Sequence, residues 1–345
     1  MNYNVLQKYF FFLIIAISSC RQSSTINRPD VSDIKVDVKI QRFDEEFANQ
    51  NPKDVSHNNL KWSKQYPYFY KDFMDEMLAV GNPQDTAYIA AIVPEILKKK
   101  DFVDLMQAVR KVYPNMDKQQ KELAQALRYI KYYFPEYKIP QFITFVSGFA
   151  VQTPVGEDYV GIGLDMFLGA DSEFYPSLVQ SIPLYISQRF TPENITPRVI
   201  EAILREDLYP QTGNSQNTLQ HMIYNGKILY AMDVLLENVA DENKIGYTKA
   251  QLEWAKKYQS DIWAWFLGEK LLYSSDYERI QKYFSEAPFT PELGENNESA
   301  PKLGSYIGWM IIRKYMEKHP EMDLVKLFSM QDAQQILEDS KFKGK

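Results

Sequence analysis

Few residues in this chain are of a type and spacing that could do chemistry. Its three histidines, His57, His221 and His319, are scattered through 345 residues, with no two at a spacing that would serve one metal ion. Zinc needs three or four nitrogen, sulfur or carboxylate ligands converging on one point, hence patterns such as His-Glu-x-x-His or paired Cys-x-x-Cys. Neither pattern occurs. His57 stands among Lys53, Asp54, Asn58 and Asn59 and reads as solvated. His319 closes a helix, where a cation complements the helix dipole, and His221 opens one without a second histidine beside it. There is no Gly-x-Ser-x-Gly elbow and no phosphate loop; Gly161-Ile162-Gly163 lacks the third glycine of a dinucleotide fingerprint. Glu201, Arg205, Glu206 and Asp207 load one helix with charge, and the four-residue spacing of Glu201 and Arg205 reads as an ion pair on a solvated face. The expectation is no catalytic residue, no metal and no cofactor.

The one thiol has a different meaning. Lys8 is the only charged side chain before Arg21, and residues 9–17 are an unbroken apolar run. Nine residues at 1.5 Å each reach about half of a ~30 Å hydrocarbon core, so the run fits the apolar region of a secretory signal rather than a span. Ile17-Ser18-Ser19-Cys20 follows and resembles a bacterial lipobox, in which the cysteine is acylated and the chain is cut just before it. Residues 1–19 are therefore expected as a signal peptide, Cys20 as the lipidation site and residues 20–33, a mainly polar stretch with Ser-Ser-Thr, as a tether. With its only cysteine so used, the mature chain has no disulfide and no cysteine nucleophile.

The elements that would position any site can be read from periodicity. Ile34, Val36, Val38 and Ile40 alternate with charged residues as a half-exposed strand. Helical spacing covers 88–97, 102–113 and 119–133, and strands are expected over 140–147 and 158–165, joined as a hairpin through the Pro154-Val155-Gly156-Glu157-Asp158 turn. Beyond Phe167 the pattern is helical, with Thr196 as cap before Pro197, then helices at 221–237, 248–273, 276–284 and 302–318. Trp254, Trp263, Trp265 and Phe266 read as core, and Gly304 and Gly308, four apart, as a notch for close helix packing. With 45% hydrophobic residues the chain can bury a full core without staples, and a charge of −6 with no basic stripe argues against nucleic acid. The fold class is thus α+β: one predominantly helical domain over residues 34–345 with a small antiparallel sheet.

Several runs resemble the gliding-motility lipoprotein GldB family of the Bacteroidetes. They are Val151-Gln152-Thr153-Pro154-Val155-Gly156, Gly161-Ile162-Gly163-Leu164-Asp165-Met166-Phe167-Leu168-Gly169 and Arg189-Phe190-Thr191-Pro192-Glu193-Asn194-Ile195. Ile223-Tyr224-Asn225-Gly226-Lys227-Ile228-Leu229-Tyr230 and Asn297-Glu298-Ser299-Ala300-Pro301-Lys302-Leu303-Gly304 belong with them, as do the lipobox and Arg42-Phe43-Asp44. The resemblance implies a role in gliding over surfaces, held to a membrane by the lipid and working with other envelope or motility proteins. A weaker resemblance is to a family of zinc peptidases whose first helix carries His-Glu-x-x-His and whose second carries Glu before Gly. Here the corresponding positions are Gln180-Ser181-Ile182-Pro183-Leu184 on an expected helix 177–189, and Asn225 before Gly226. That likeness implies a zincin-like scaffold stripped of its ligands, with Gln180, Ser181, Leu184, Asn225 and Tyr306 as a remnant pocket. The competing class is a metal-independent periplasmic hydrolase of peptide or glycan; a third is a ligand-binding module using the aromatic surface.

The residues after Cys20 are Arg-Gln-Ser-Ser-Thr, without the Lys and acidic run that surface-exported lipoproteins of this group resemble, so a periplasm-facing protein is expected. Cys20→Ala should leave the chain without a lipid. Labelled fatty acid that still appeared on the Cys20→Ala protein would show the anchor to lie elsewhere.

Overall fold

The structure, a computed structural model, describes residues 26, 28–211, 217–294, 296 and 298–345; the signal segment and Cys20 lie outside them. In chain order the first half holds β1 (Ile40–Gln41), α1 (Phe43–Ala48), α2 (Val55–Gln65), α3 (Pro67–Asp72), α4 (Thr86–Lys98), α5 (Lys100–Val112), α6 (Asp117–Tyr133), β2 (Gln141–Phe145) and β3 (Tyr159–Gly163). The second half is helical: α7 (Leu184–Ser187), α8 (Ile195–Ile203), α9 (Thr218–Leu235), α10 (Asp241–Ile245), α11 (Lys249–Lys257) and α12 (Gln259–Gly268). After these come α13 (Tyr277–Ile280), α14 (Leu303–Lys318), α15 (Leu324–Ser329) and α16 (Ala333–Ser340).

The sheet corrects the expectation of an antiparallel arrangement. Its order is β1-β2-β3 and both pairings are parallel, with Ile40 opposite Phe142, Phe142 opposite Val160 and Phe145 opposite Gly163. The Pro154–Asp158 turn does exist, but it folds residues 152–156 back along β3. The N–H groups of Gly161 and Gly163 donate to the carbonyls of Pro154 and Gln152 at 2.8 and 2.9 Å. β3 therefore has β2 on one edge and this antiparallel ribbon on the other. Residues 146–158 are long enough for the crossover that a parallel pair demands. Gly161 and Gly163 are needed because a Cβ at either would strike the Phe145 ring and the ribbon. The alternating 34–40 run pairs only at its end, in β1.

Strand side chains alternate between two cores. Ile143, Phe145 and Tyr159 face an aromatic cluster from α1–α4 centred on Phe43, Phe69 and Phe73, whose rings meet edge-on at 5.1 Å around Phe43. Phe142, Val160 and Ile162 face the larger core of α5, α6, α8, α9 and α14. Helices on both faces are what a parallel sheet requires.

Helix α9 is apolar around nearly its whole circumference and lies at the centre of that core. It crosses α14 at backbone contact: a Cβ on Gly226 would sit 2.3 Å from the Gly308 carbonyl oxygen, and one on Gly308 only 1.8 Å from that of Met222. Gly304, the other half of the notch, receives the Phe284 ring instead. Farther along, the buried Asp233 carboxylate accepts from Trp309 Nε1, Arg313 and Lys244 at 2.7–2.8 Å. Arg28 donates to the carbonyls of Asp233 and Val234 at the end of α9, and Val31 is buried. The second half of the expected tether is thus laid against the helices rather than free.

Two helix expectations change. The run 248–273 is broken at Tyr258 into α11 and α12. Residues 177–189 are not a helix but a 3-10 turn (Tyr175–Leu178) and the four-residue α7. Pro183 lacks a backbone donor and disfavours helical geometry at Ile182, which favours the break seen there. The long first helix required by the zincin-like reading is therefore missing from the fold.

At the α9–α14 crossing, Gly308→Ala gains roughly 1 kcal/mol of helix propensity. It also forces two backbones apart, and overpacking of this kind costs about 3 kcal/mol or more. Denaturant unfolding should show clear net destabilisation; a midpoint equal to that of the unsubstituted protein would mean that the crossing is not under this constraint.

Candidate functional site

The pocket with the densest chemistry is a hollow of about 410 Å³ between α7, α8, the end of α10 and the 152–153 ribbon. Gln152 and Thr153 reach it because their segment is bonded to β3. The loop that leads into that ribbon is held by Asp165, which follows β3 and is wholly buried. Its Oδ2 accepts from the N–H groups of Ser147 and Phe149 at 3.2 and 2.6 Å. Gly148 and Phe149 both take left-handed backbone angles, φ +72° and +69°, which turn successive N–H groups inward as an anion nest. Asp165 Oδ1 has no hydrogen-bond partner. Burial, opposed by these N–H groups, pushes the carboxyl up to about 6.

The pocket's wall is a charge cluster. Glu201 on α8 bonds Arg205 at 2.9 Å and also Arg198. Glu286 accepts from Arg189 at 2.9 Å and from Lys302 at 2.6 Å. Around the end of α10, Arg198 donates to the carbonyls of Asn243 and Lys244, Lys302 to that of Ile245, and Arg189 to that of Gly246. Cations here meet the negative end of a helix. Gly246 ends α10 with φ +75°, and a Cβ there would lie 2.2 Å from the Arg189 guanidinium. Only glycine serves both the turn and the contact.

Burial alone would raise the Glu201 carboxyl, but Arg198, Arg205 and Lys302 outweigh it and hold it down to about 2. Burial lowers the Lys302 ammonium to about 8 despite Glu286, with Arg189 adding to the depression. The Glu201–Arg205 pair read from spacing is real. Its environment is not the solvated one expected, since about four fifths of the Glu201 side chain is covered.

The remnant-pocket residues do not assemble. Gln180, Ser181 and Leu184 are exposed on the segment broken by Pro183. Asn225 on α9 accepts from Arg205 at 3.1 Å and donates to the His221 carbonyl, while Tyr306 is buried and donates to Gln259 at 2.9 Å. Asn225 thus joins the charge cluster through Arg205, just beyond α8. His57 is exposed; His319 is stacked on Tyr315 at the end of α14 and bonded to its carbonyl; His221 lies against Phe284. Among the described residues no group of His, Cys, Asp or Glu could hold a metal ion. Sequence reasoning missed the cluster because Arg189, Arg198, Glu286 and Lys302 are up to 113 positions apart. Yet four of the five runs quoted above contribute to it: Gln152 and Thr153, Arg189 and Asn194, Asn225, and Lys302.

The family described as gliding motility protein GldB matches residues 24–344. The chain belongs to the GldB family. No curated protein and no solved structure matches it. Among its described residues no helix is long and apolar enough to cross a membrane.

Asp165 gives this GldB-family site a pH signature. A carboxyl raised in the fold from 3.8 to about 6 stabilises fully below pH 3.8, and that contribution is lost as pH rises through 6. The difference corresponds to about 3 kcal/mol. Asp165→Asn keeps an acceptor for the nest without the charge. The unfolding free energy of the parent minus that of the variant should fall by that order between pH 4 and 7; a flat difference would refute the assignment.

Proposed function

We propose that the chain is a lipid-anchored, non-catalytic protein of the cell envelope that supports gliding motility through the associated envelope machinery, facing the periplasm from its acylated Cys20. The family match across nearly the whole chain carries this reading. The geometry of the pocket supports its non-catalytic part. Acid–base chemistry on a substrate calls for a reachable side chain poised near the working pH. Glu201 is held ionised between two guanidinium groups, and Glu286 is held below its usual range, burial notwithstanding, by Lys302 and Arg189. Asp165, the carboxyl nearest neutrality, is sealed beneath the 147–149 loop, and Lys302, lowered to about 8, is buried and bonded to Glu286 and the Ile245 carbonyl. The cluster is an arrangement for holding shape and charge rather than for moving protons.

The test is genetic and chemical together. Cells lacking the chain should stop spreading over a surface, and the intact gene should restore movement. Cys20→Ala made at equal level should not. Normal gliding without the chain would remove the motility role, and turnover of casein or peptidoglycan fragments by the purified protein would remove the non-catalytic one. Protease that strips the protein from intact cells would place it outside rather than in the periplasm.

A further inference from the structure

A chain held to a bilayer through Cys20 can bring only part of its surface to the lipid. From Cys20 to Ile26 is six steps of chain, about 20 Å at full extension. Ile26 is already packed against the main core, and Arg28 is bonded to the carbonyls of Asp233 and Val234 at the end of α9. The tether therefore holds this end of the molecule near the lipid. The other end of α9 is far from it: the helix has 18 residues and is about 27 Å long. At that far end Thr218 and Leu219 donate to the carbonyls of Ser274 and Leu272, just before α13.

The tethered end carries tyrosines. Tyr129, Tyr132 and Tyr133 share one face at the end of α6. Arg28 is within electrostatic reach of Tyr129, as Asp323 is of Tyr133. Tyr132 is 49% exposed and meets the Tyr133 ring edge-on at 5.0 Å. Asp323 caps α15, the Phe134 ring lies 6.0 Å from Phe328 of that helix, and Val325 on it is 44% exposed. The end of α6 and α15 thus make one surface. Arg28, Lys131 and Lys326 stand around it beside Glu237, Glu321 and Asp323, charges of both signs. We propose that this surface, with Tyr132 and Val325 foremost, rests on the headgroup layer of the bilayer that holds Cys20. The inference rests on the acylation of Cys20 proposed above. A ring with an apolar body and a wet hydroxyl suits the boundary between lipid and water, and mixed charges suit zwitterionic headgroups. Two side chains bind a membrane weakly, but a tethered contact is intramolecular and works at an effective concentration of the order of millimolar. A partner protein could use any exposed face; chain length ties the bilayer to this one.

Cys20 is the only cysteine, so once it is acylated an added cysteine is a unique place for a label. Full-length lipidated protein carrying Val325→Cys is labelled with bimane and reconstituted, with no other protein, in phosphatidylethanolamine–phosphatidylcholine vesicles containing a headgroup-nitroxide lipid. Tyr277→Cys on α13, at a position 66% exposed, is the control from the far end of α9. Quenching at position 325 should be at least threefold that at 277. Adding Tyr132→Asp should cut it at least twofold at an unchanged melting temperature, and Tyr132→Phe should retain it. Equal quenching at the two positions overturns the proposal, as does undiminished quenching at 325 in the folded Tyr132→Asp protein. The mass of the purified chain separates the two failures. An acyl group on Cys20 with position 325 unquenched removes this face and leaves the anchor standing; no acyl group removes both.

Discussion

Two backbones touch where α9 crosses α14, and much of the molecule follows from that contact. Helices with side chains between them pack 8–10 Å apart; Gly226 and Gly308 remove the side chains and let peptide groups meet. The crossing sets its neighbours in both directions. One residue before Gly226, Asn225 is presented to Arg205, in the turn that follows α8. Two turns after it, Asp233 comes level with Trp309 and Arg313 of α14. At the start of α14, Lys302, in a left-handed conformation at φ +50°, reaches Ile245 and Glu286. A shift of one ångström at the glycines would therefore be felt at both charge clusters.

Those two clusters obey different rules. At the end of α9, Asp233 and Asp241 meet Lys244 and Arg313, a balanced set in which the wholly buried Asp233 accepts four hydrogen bonds, and the Arg313 guanidinium lies 3.8 Å over the Trp309 ring. Charges so fully paired specify how helices meet more than they stabilise the fold, because desolvation consumes most of their attraction. Around Glu201 and Glu286 the pairs share their carboxylates among four cations and leave one guanidinium nitrogen free. The first network is closed and the second is open.

What the sequence revealed follows from how local each signal is. Helices α4, α5, α6 and α14 lie within a few residues of where apolar spacing puts them, because the period of a helix is written in its own residues. The positions of β2 and β3 were equally clear, but their direction was not. The turn at Pro154–Asp158 points to a hairpin, and a hairpin forms; its other arm is the 152–156 ribbon, while β2 sits on the far edge of β3. A turn reports the chain that enters it and says nothing of the strand beyond. The 177–189 segment erred differently: Pro183 was a local signal against a helix, overridden by a likeness of element order.

The pocket was illegible for a third reason. Its charges come from α8, from the loop before it, from the segment around Glu286 and from the first residue before α14, and each reads as an ordinary surface residue in its own context. Glu201 and Arg205 illustrate this, since four-residue pairing is the commonest way for a helix to decorate a solvated face. Only the end of α10, where four successive carbonyls and Gly246 gather Arg189, Arg198 and Lys302, turns the same pair into part of an interior. A helix terminus supplies partial negative charge over a short range, enough to assemble cations from distant parts of the chain but not to neutralise four of them. The same geometry that collects these side chains therefore still relies on Glu201 and Glu286 to balance them, and the pocket wall is an interior built from ion pairs rather than a decorated surface.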